Sequence, residues 1–211
     1  MGQTVQDRKD QHISLANQQY NSASSRDFEA LRFVHQSLPQ MGVADVDLTA
    51  QLVGLKMAVP FYINAMTGGS ERTGRINQLL AMVAREYRVP IASGSVSAAL
   101  KDPSLAASFR ILRQENPDGL IFANLGAHHD LENAKRAVDL LEADGLQLHV
   151  NAPQELVMPE GDRDFSDWLT NIESIVAELC VPVIVKEVGF GMSRETVVQL
   201  ASVGVQTVDI S

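Results

Sequence analysis

The chain has 211 residues, 45% of them apolar, enough to build one sizeable hydrophobic core. Its formal net charge of −9 excludes a general electrostatic nucleic-acid binder, so a polyanionic ligand must be held by a few local cations or a metal. No run approaches the ~20 apolar residues of a membrane helix, the first twenty residues are too polar for a signal peptide, and a single cysteine excludes an internal disulfide and fits a reducing, cytoplasmic setting.

Residues 1–59 read as an N-terminal extension, with a helix near Ser25–Gln36 and loops around Pro39–Gly42. From residue 60 onward a short apolar run alternates with a stretch of helical periodicity. The expected strands are Phe61–Ala65, Pro90–Gly94, Leu120–Asn124, Leu146–Val150, Val183–Lys186 and Thr207–Ile210. Between them, one helical face carries Ile76, Leu79, Leu80, Val83 and Tyr87. Four more carry Leu105, Phe109 and Leu112; Leu131, Ala134, Val138 and Leu141; Trp168, Ile172, Ile175 and Leu179; and Val197, Leu200 and Ala201. Strands apolar nearly throughout are buried on both faces, which makes this an α/β chain with a parallel sheet. A doubly wound sheet predicts a G-x-G-x-x-G turn, and Met66-Thr67-Gly68-Gly69-Ser70 is not one. Polar residues instead end almost every strand: Thr67, Ser95, Asn124, His149 with Asn151, Lys186 with Glu187, and Ser211. That is where a (β/α)8 barrel places its catalytic loops. A full barrel needs eight strands, so residues 60–211 read as its first six, truncated after strand six. Cys180, at the end of an apolar-periodic segment, reads as a small core residue.

Six short constellations carry the chemistry. Arg8-Lys9 with His12 offers two adjacent cations to an anion, although a solvated basic pair in a frayed terminus accounts for them better on their own. Asn64-Ala65-Met66-Thr67-Gly68-Gly69 allows close backbone approach to a flat ligand or phosphate, and equally an ordinary βα turn. Ser93-Gly94-Ser95 offers hydroxyls to a ring or phosphate, with a helix N-cap as the plainer reading. Asn124 offers an amide that can read a heterocycle edge, or simply a turn residue; His128 and His129 beside it read as surface histidines. In His149-Val150-Asn151-Ala152-Pro153-Gln154-Glu155, His149 and Asn151 share one strand face, Gln154 and Glu155 follow in the loop, and four polar types converge on one strand end. That convergence favours a site over a satisfied core histidine, with Glu155 suited to Mg²⁺ and His149 and Gln154 to positioning or protonating a substrate. Lys186 ends the apolar run Val183-Ile184-Val185 and needs an anionic partner there: a reduced flavin, or less favourably the Glu187 carboxylate.

In this order and on successive strands, these pieces resemble the type 2 isopentenyl diphosphate isomerases. The resemblance covers nearly the whole chain: Arg8-Lys9 with His12, Val34 to Pro39, Phe61 to Gly69, Ser93 to Ser95, His149 to Glu155, Met158 to Gly161 and Lys186 to Gly189. It implies a TIM barrel that binds FMN at the strand ends and interconverts isopentenyl and dimethylallyl diphosphate. Reduced flavin would act as acid and base, NADPH would supply electrons, and Mg²⁺ would bridge to the diphosphate. Ala65, Met66 and Thr67 would lie along the flavin ring, with Ser95, Asn124, Lys186 and Ser211 on its polar side. Arg8, Lys9, His149 and Asn151 would hold the diphosphate, Gln154 would sit beside the reacting carbons, and Glu155 would carry the metal. His149, Gln154 and Lys186 are the residues to which catalysis is assigned. The resemblance also implies a homo-oligomer, tetrameric or larger, with no nucleic-acid or membrane partner.

The sequence departs from the family at Ser97, which stands where many members have a phosphate-binding arginine. It also lacks the family's later strands, whose loops bind the flavin phosphate, so the chain by itself is expected to bind flavin poorly. Two other readings compete: a different FMN barrel, such as a 2-hydroxy-acid oxidase or a purine nucleotide dehydrogenase relative, and a non-catalytic barrel fragment. The oxidoreductases lack the run from His149 to Glu155, and a scaffold has no need of it.

Overall fold

The protein was analysed as a computed structural model, which describes residues 5–20, 30, 32–159 and 161–210, with only the backbone of residues 5–8. Five parallel strands pair in sequence order: β3 (Ile91–Ala92), β4 (Ile121–Gly126), β5 (Gly145–His149), β6 (Val183–Lys186) and β7 (Val208–Asp209). The expected first strand, Phe61–Ala65, contributes a single parallel bridge from Ile63 to Ile91. Helices α2 (Glu71–Tyr87), α4 (Ala107–Glu115), α5 (Leu131–Leu141), α7 (Trp168–Glu178) and α8 (Arg194–Ser202) return the chain between strands, with a short α3 (Ser97–Lys101) ahead of α4. The architecture is that of a (β/α) barrel through its sixth strand position.

Side-chain alternation divides the core into two layers. Ile121, Ala123, Leu125, Leu146, Leu148, Val183 and Val185 face outward and pack with Phe109, Leu112, Leu141, Ile172 and Ile175 of the helices. Ala92, Phe122 and Ile184 face inward. An antiparallel hairpin, β1 (Ala50–Leu52) and β2 (Leu55–Met57), closes the floor by setting Leu52, Val53 and Leu55 against that inner layer. Its turn residues, Val53 and Gly54, both have positive φ (48° and 83°), the conformation of a tight hairpin turn. Val53 is β-branched and seldom adopts it, so no turn signal marks this hairpin in the sequence.

Helix starts follow local chemistry. Ser70, Asp130, Asn151 and Ser193 each accept a backbone N–H of the first turn of α2, α5, α6 (Ala152–Val157) and α8, a contribution of about 1 kcal/mol per cap.

Several expectations change. Residues 32–36 of the expected helix Ser25–Gln36 are not helical, and most of its remainder lies outside the described residues. A helix not anticipated, α1 (Val5–Gln19), carries Lys9 and His12. Strand β5 ends at His149, so Asn151 is the cap of α6 rather than a strand residue. Cys180 is exposed rather than core, because α7 ends at Glu178 and the chain turns outward before β6. No helix among the described residues is long and apolar enough to cross a membrane.

Candidate active site

The strand ends open into one cavity of about 650 Å³. Its wall includes Lys9 and His12 from α1, Asn64, Ala65 and Met66 after the first strand position, and Ser95 and Ser97 after β3. Asn124 and His128 reach it from β4 and its loop, Asn151, Gln154 and Glu155 from α6 and its cap, and His149 and Lys186 from β5 and β6. Residues up to about 180 positions apart thus meet on the face where parallel barrels place their sites.

Register sets the inner layers. Asn124 pairs with Gln147 one layer down, and Gly126, His149, Lys186 and Asp209 align across four strands at the rim. Gly94 lets two loops touch: its N–H donates to the Thr67 carbonyl at 2.9 Å, and a Cβ at Gly94 would fall 2.5 Å from that oxygen. The side chain of Asn77 holds the same carbonyl from behind at 3.3 Å.

Lys186 is only 6% exposed. Burial holds its ammonium below its ordinary pKa, with partial compensation from the Asp209 and Glu187 carboxylates. Its Nζ donates to the backbone carbonyl of Glu187 at 2.7 Å. The Glu187 carboxylate, read from the sequence as the less favoured partner of Lys186, also has a role of its own. It accepts the backbone N–H groups of Gly189, Phe190 and Gly191 at 2.8, 2.6 and 3.1 Å, and so shapes the loop after β6. Sequence reasoning missed that role.

Gln154 is fixed from one side. Asn151 Oδ1 accepts its backbone N–H at 3.2 Å, and the Asn151 amide donates to its side-chain carbonyl. Glu155 accepts the backbone N–H of Asp162 at 3.0 Å and still lines the cavity. Among the described residues no three His, Cys, Asp or Glu side chains cluster to hold a metal.

Of the two histidines expected at the surface, His128 is exposed and His129 is buried. His129 is 8% exposed, its Nε2 lies 2.6 Å from Ser97 Oγ, and burial depresses its pKa to about 4. His128 stacks on it at 4.2 Å and meets Asp162 at 3.3 Å. Burial depresses the pKa of His149 to about 3, and the Lys9 and Lys186 ammonium groups push it the same way. That electrostatic pressure marks a locally cationic cavity in an acidic protein, as an anionic ligand requires.

A pH dependence of stability follows. Both imidazoles are neutral in the fold and titrate below the ordinary 6.5, so the unfolded chain takes up protons first as pH falls. Their contribution is complete above about pH 6.5 and declines towards pH 4. Urea unfolding at pH 7 and at pH 4.5 should differ by roughly 2–4 kcal/mol from these groups, and His149→Asn should flatten the profile. An unchanged midpoint across that window would contradict the burial of both rings.

Of the residues expected from sequence, Lys9, Ala65, Met66, Ser95, Asn124, His149, Asn151, Gln154, Glu155 and Lys186 all line the cavity. Thr67 is buried behind the wall, 3% exposed, and contributes its backbone carbonyl to loop packing. The side chain of Arg8 and the whole of Ser211 lie outside the described residues.

No protein-family model matches the chain. Curated isopentenyl-diphosphate delta-isomerases of Staphylococcus aureus strains Mu3, N315 and JH9 are 55% identical over 204 residues, covering 97% of this chain and 58% of each relative. The chain therefore spans a little over half the length of these relatives. Among solved structures, mandelate oxidase with 3,3-difluoro-2-hydroxy-3-phenylpropionic acid overlays 79% of this chain with 52% of its own, at a TM-score of 0.52 and 18% identity. A putative lactate oxidase of Pediococcus acidilactici overlays 80% with 52%, at 0.54 and 13%. At such identities these two show the fold alone. The near-complete match to the curated isomerases, on a barrel whose strand ends gather the motif residues into one cavity, places this chain in the family of type 2 isopentenyl-diphosphate delta-isomerases.

Proposed function

We propose that the protein to which this chain belongs interconverts isopentenyl and dimethylallyl diphosphate in isoprenoid synthesis, with FMN reduced by NADPH and with Mg²⁺. The observation that carries this reading is the convergence of Lys9, His149, Asn151, Gln154, Glu155 and Lys186 on one cavity in a chain 55% identical to curated isomerases. The likeness to hydroxy-acid oxidases extends to the fold and does not favour their chemistry.

The lining fits the cofactor. Ala65 and Met66 offer an apolar wall, Ser95 and Asn124 offer hydrogen-bonding groups, and Lys186 offers a buried ammonium that favours negative charge beside it. Bound and reduced, FMN would supply the acid–base chemistry that moves the double bond: one proton added at one end of the allyl system, one removed at the other.

The chain's own residues do the rest. Lys9, with Arg8, His149 and Asn151, holds the diphosphate. Glu155 would hold Mg²⁺, which would supply further positive charge for the diphosphate. Gln154, locked by Asn151, sets the position of the reacting carbons, and the apolar wall keeps water from a cationic intermediate. Asp10 accepts a hydrogen bond from Ser70 at 2.6 Å, and Arg72 donates to the Asp10 carbonyl and to Ser14. These contacts seat α1 on the first turn of α2, with Lys9 at the cavity. In this reading residues 1–59 form a substrate-binding extension, residues 60–211 belong to the barrel, and the protein works in the cytoplasm as a homo-oligomer.

The test is anaerobic proton NMR of isopentenyl diphosphate in D₂O with the full-length protein, FMN, NADPH and Mg²⁺. Conversion to dimethylallyl diphosphate with deuterium uptake, lost when FMN is withheld, is the expected result. No conversion by flavin-loaded protein would overturn the reading. Glu155→Gln is expected to shift the Mg²⁺ requirement at least roughly tenfold higher, as loss of a carboxylate ligand does. An unchanged Mg²⁺ titration would remove Glu155 from the metal.

A further inference from the structure

A directional chain of hydrogen bonds crosses the inside of the barrel beneath the cavity. Tyr62 donates to the Asp209 carboxylate, and Gln147 Nε2 donates to the Tyr62 oxygen at 3.2 Å. Asn124 Nδ2 donates to Gln147 Oε1 at 3.5 Å, and Asn124 Oδ1 lies 3.1 Å from His149 Nδ1. Gln147 is fully buried and Asn124 3% exposed, so neither amide exchanges these partners for bulk water.

The chain has one consistent polarity. A carboxylate at Asp209 can only accept, so the Tyr62 hydroxyl must donate to it. Burial and the hydrogen bond to Asp209 raise the Tyr62 pKa, which keeps the phenol protonated. The Tyr62 oxygen then serves as acceptor, and Gln147 must turn its NH₂ towards it and its carbonyl towards Asn124. Asn124 must answer with its NH₂, which leaves its own carbonyl for His149. A carbonyl facing Nδ1 requires a proton on Nδ1.

We infer that Gln147, backed by Tyr62 and Asp209, is a positioning residue that fixes His149 as the Nδ1–H tautomer, with Nε2 left as a hydrogen-bond acceptor. The Nε2 side lies over Gly126, where a Cβ would fall 2.6 Å from the His128 ring and 3.2 Å from Nε2, so the glycine lets the His128 ring pack beside this nitrogen. A glutamate at position 147 could accept twice but could not pass the polarity on, and an apolar residue would leave both Asn124 and Tyr62 short of a partner. For the ligand, the consequence rests on the isomerase reading: the diphosphate oxygen that meets His149 must bring a proton to the contact, or deliver one to Nε2 on binding.

The tautomer is read on the full-length protein without substrate, by ¹⁵N-edited NMR of labelled histidines at pH 7, with His149→Asn used to assign the signal. The expected result is a protonated Nδ1 and an unprotonated Nε2. Gln147→Met, of similar length and without the amide, should let Asn124 reverse, so that the single tautomer is lost to a mixture or to the Nε2–H form. Tyr62→Phe should act in the same direction and decides the matter if Gln147→Met does not fold. A wild-type Nε2–H ring, or variants that keep the Nδ1–H form, would overturn the inference. A tautomer shift in a protein with no isomerase activity would refute the proposed function and leave the positioning role standing.

Discussion

Lys186→Met in the full-length enzyme is expected to lower kcat by at least about a hundredfold, the usual cost of removing one preorganised charge that stabilises developing charge in a dry site. The ammonium is 6% exposed, and its Nζ is held by the Glu187 carbonyl in line with His149 and Asp209. Methionine has nearly the same length and fills the space. Removing the cation relieves its desolvation but takes a counter-charge from Asp209 and Glu187, so the net change in stability is expected to be small beside the loss of turnover. Stability and activity should thus move independently, which separates a catalytic role from a structural one. Lys186→Arg is not expected to restore turnover, since a planar guanidinium does not fit the space of a compact ammonium. Turnover measured beside a thermal melt and the flavin content of the purified protein checks all three points. Near-normal kcat in Lys186→Met would remove Lys186 from the catalytic machinery.

The sequence makes some of this site plain and hides the rest, and the division has a physical basis. Asn124, His149 and Lys186 stand out because each is a polar residue ending an apolar run, a contrast visible within ten residues. Gln147, Tyr62 and Asp209 give no such signal. Each is ordinary in its own segment, and only the curvature of the sheet brings Tyr62 to Asp209 across 147 positions. His129 looked like a surface residue because loops are usually wet, yet here the loop folds back over Ser97. Helix α1 has no apolar stripe to announce it and is held by polar contacts to Ser70 and Arg72, which periodicity cannot reveal. The expectation of a helix at Ser25–Gln36 failed over residues 32–36, where Phe33 and Val34 are exposed and have no core to pack against. The order of strands β3 to β7 and of the five longer helices between them was legible, because burial on both faces of a parallel sheet writes itself into composition, whereas the short helix α6 that carries Gln154 and Glu155 was not.

Gly94→Ala is expected to disrupt this site with a single methyl group. The new Cβ would lie 2.5–2.7 Å from the carbonyl oxygen, carbonyl carbon and amide nitrogen of Thr67, all backbone atoms. No side-chain rotation can relieve such a contact, so one of the two loops must move. The Thr67 side is pinned: its carbonyl accepts from Gly94 and from Asn77, and Asn77 is itself bound to the Ser108 carbonyl at 2.8 Å. The loop after β3 is pinned as well, since Val96 donates to the Asn124 carbonyl at 2.9 Å. Overpacking between two fixed backbones should cost about 2–4 kcal/mol, and whichever loop yields carries Ala65 and Met66, or Ser95, away from the cavity wall. Flavin retention should therefore fall together with stability, in contrast to Lys186→Met. The check is a urea titration of flavin-free protein paired with an FMN binding isotherm. Unchanged stability with wild-type FMN affinity would show that the close approach of these two loops does not shape the flavin wall, and the assignment of Ala65 and Met66 to that wall would fall with it.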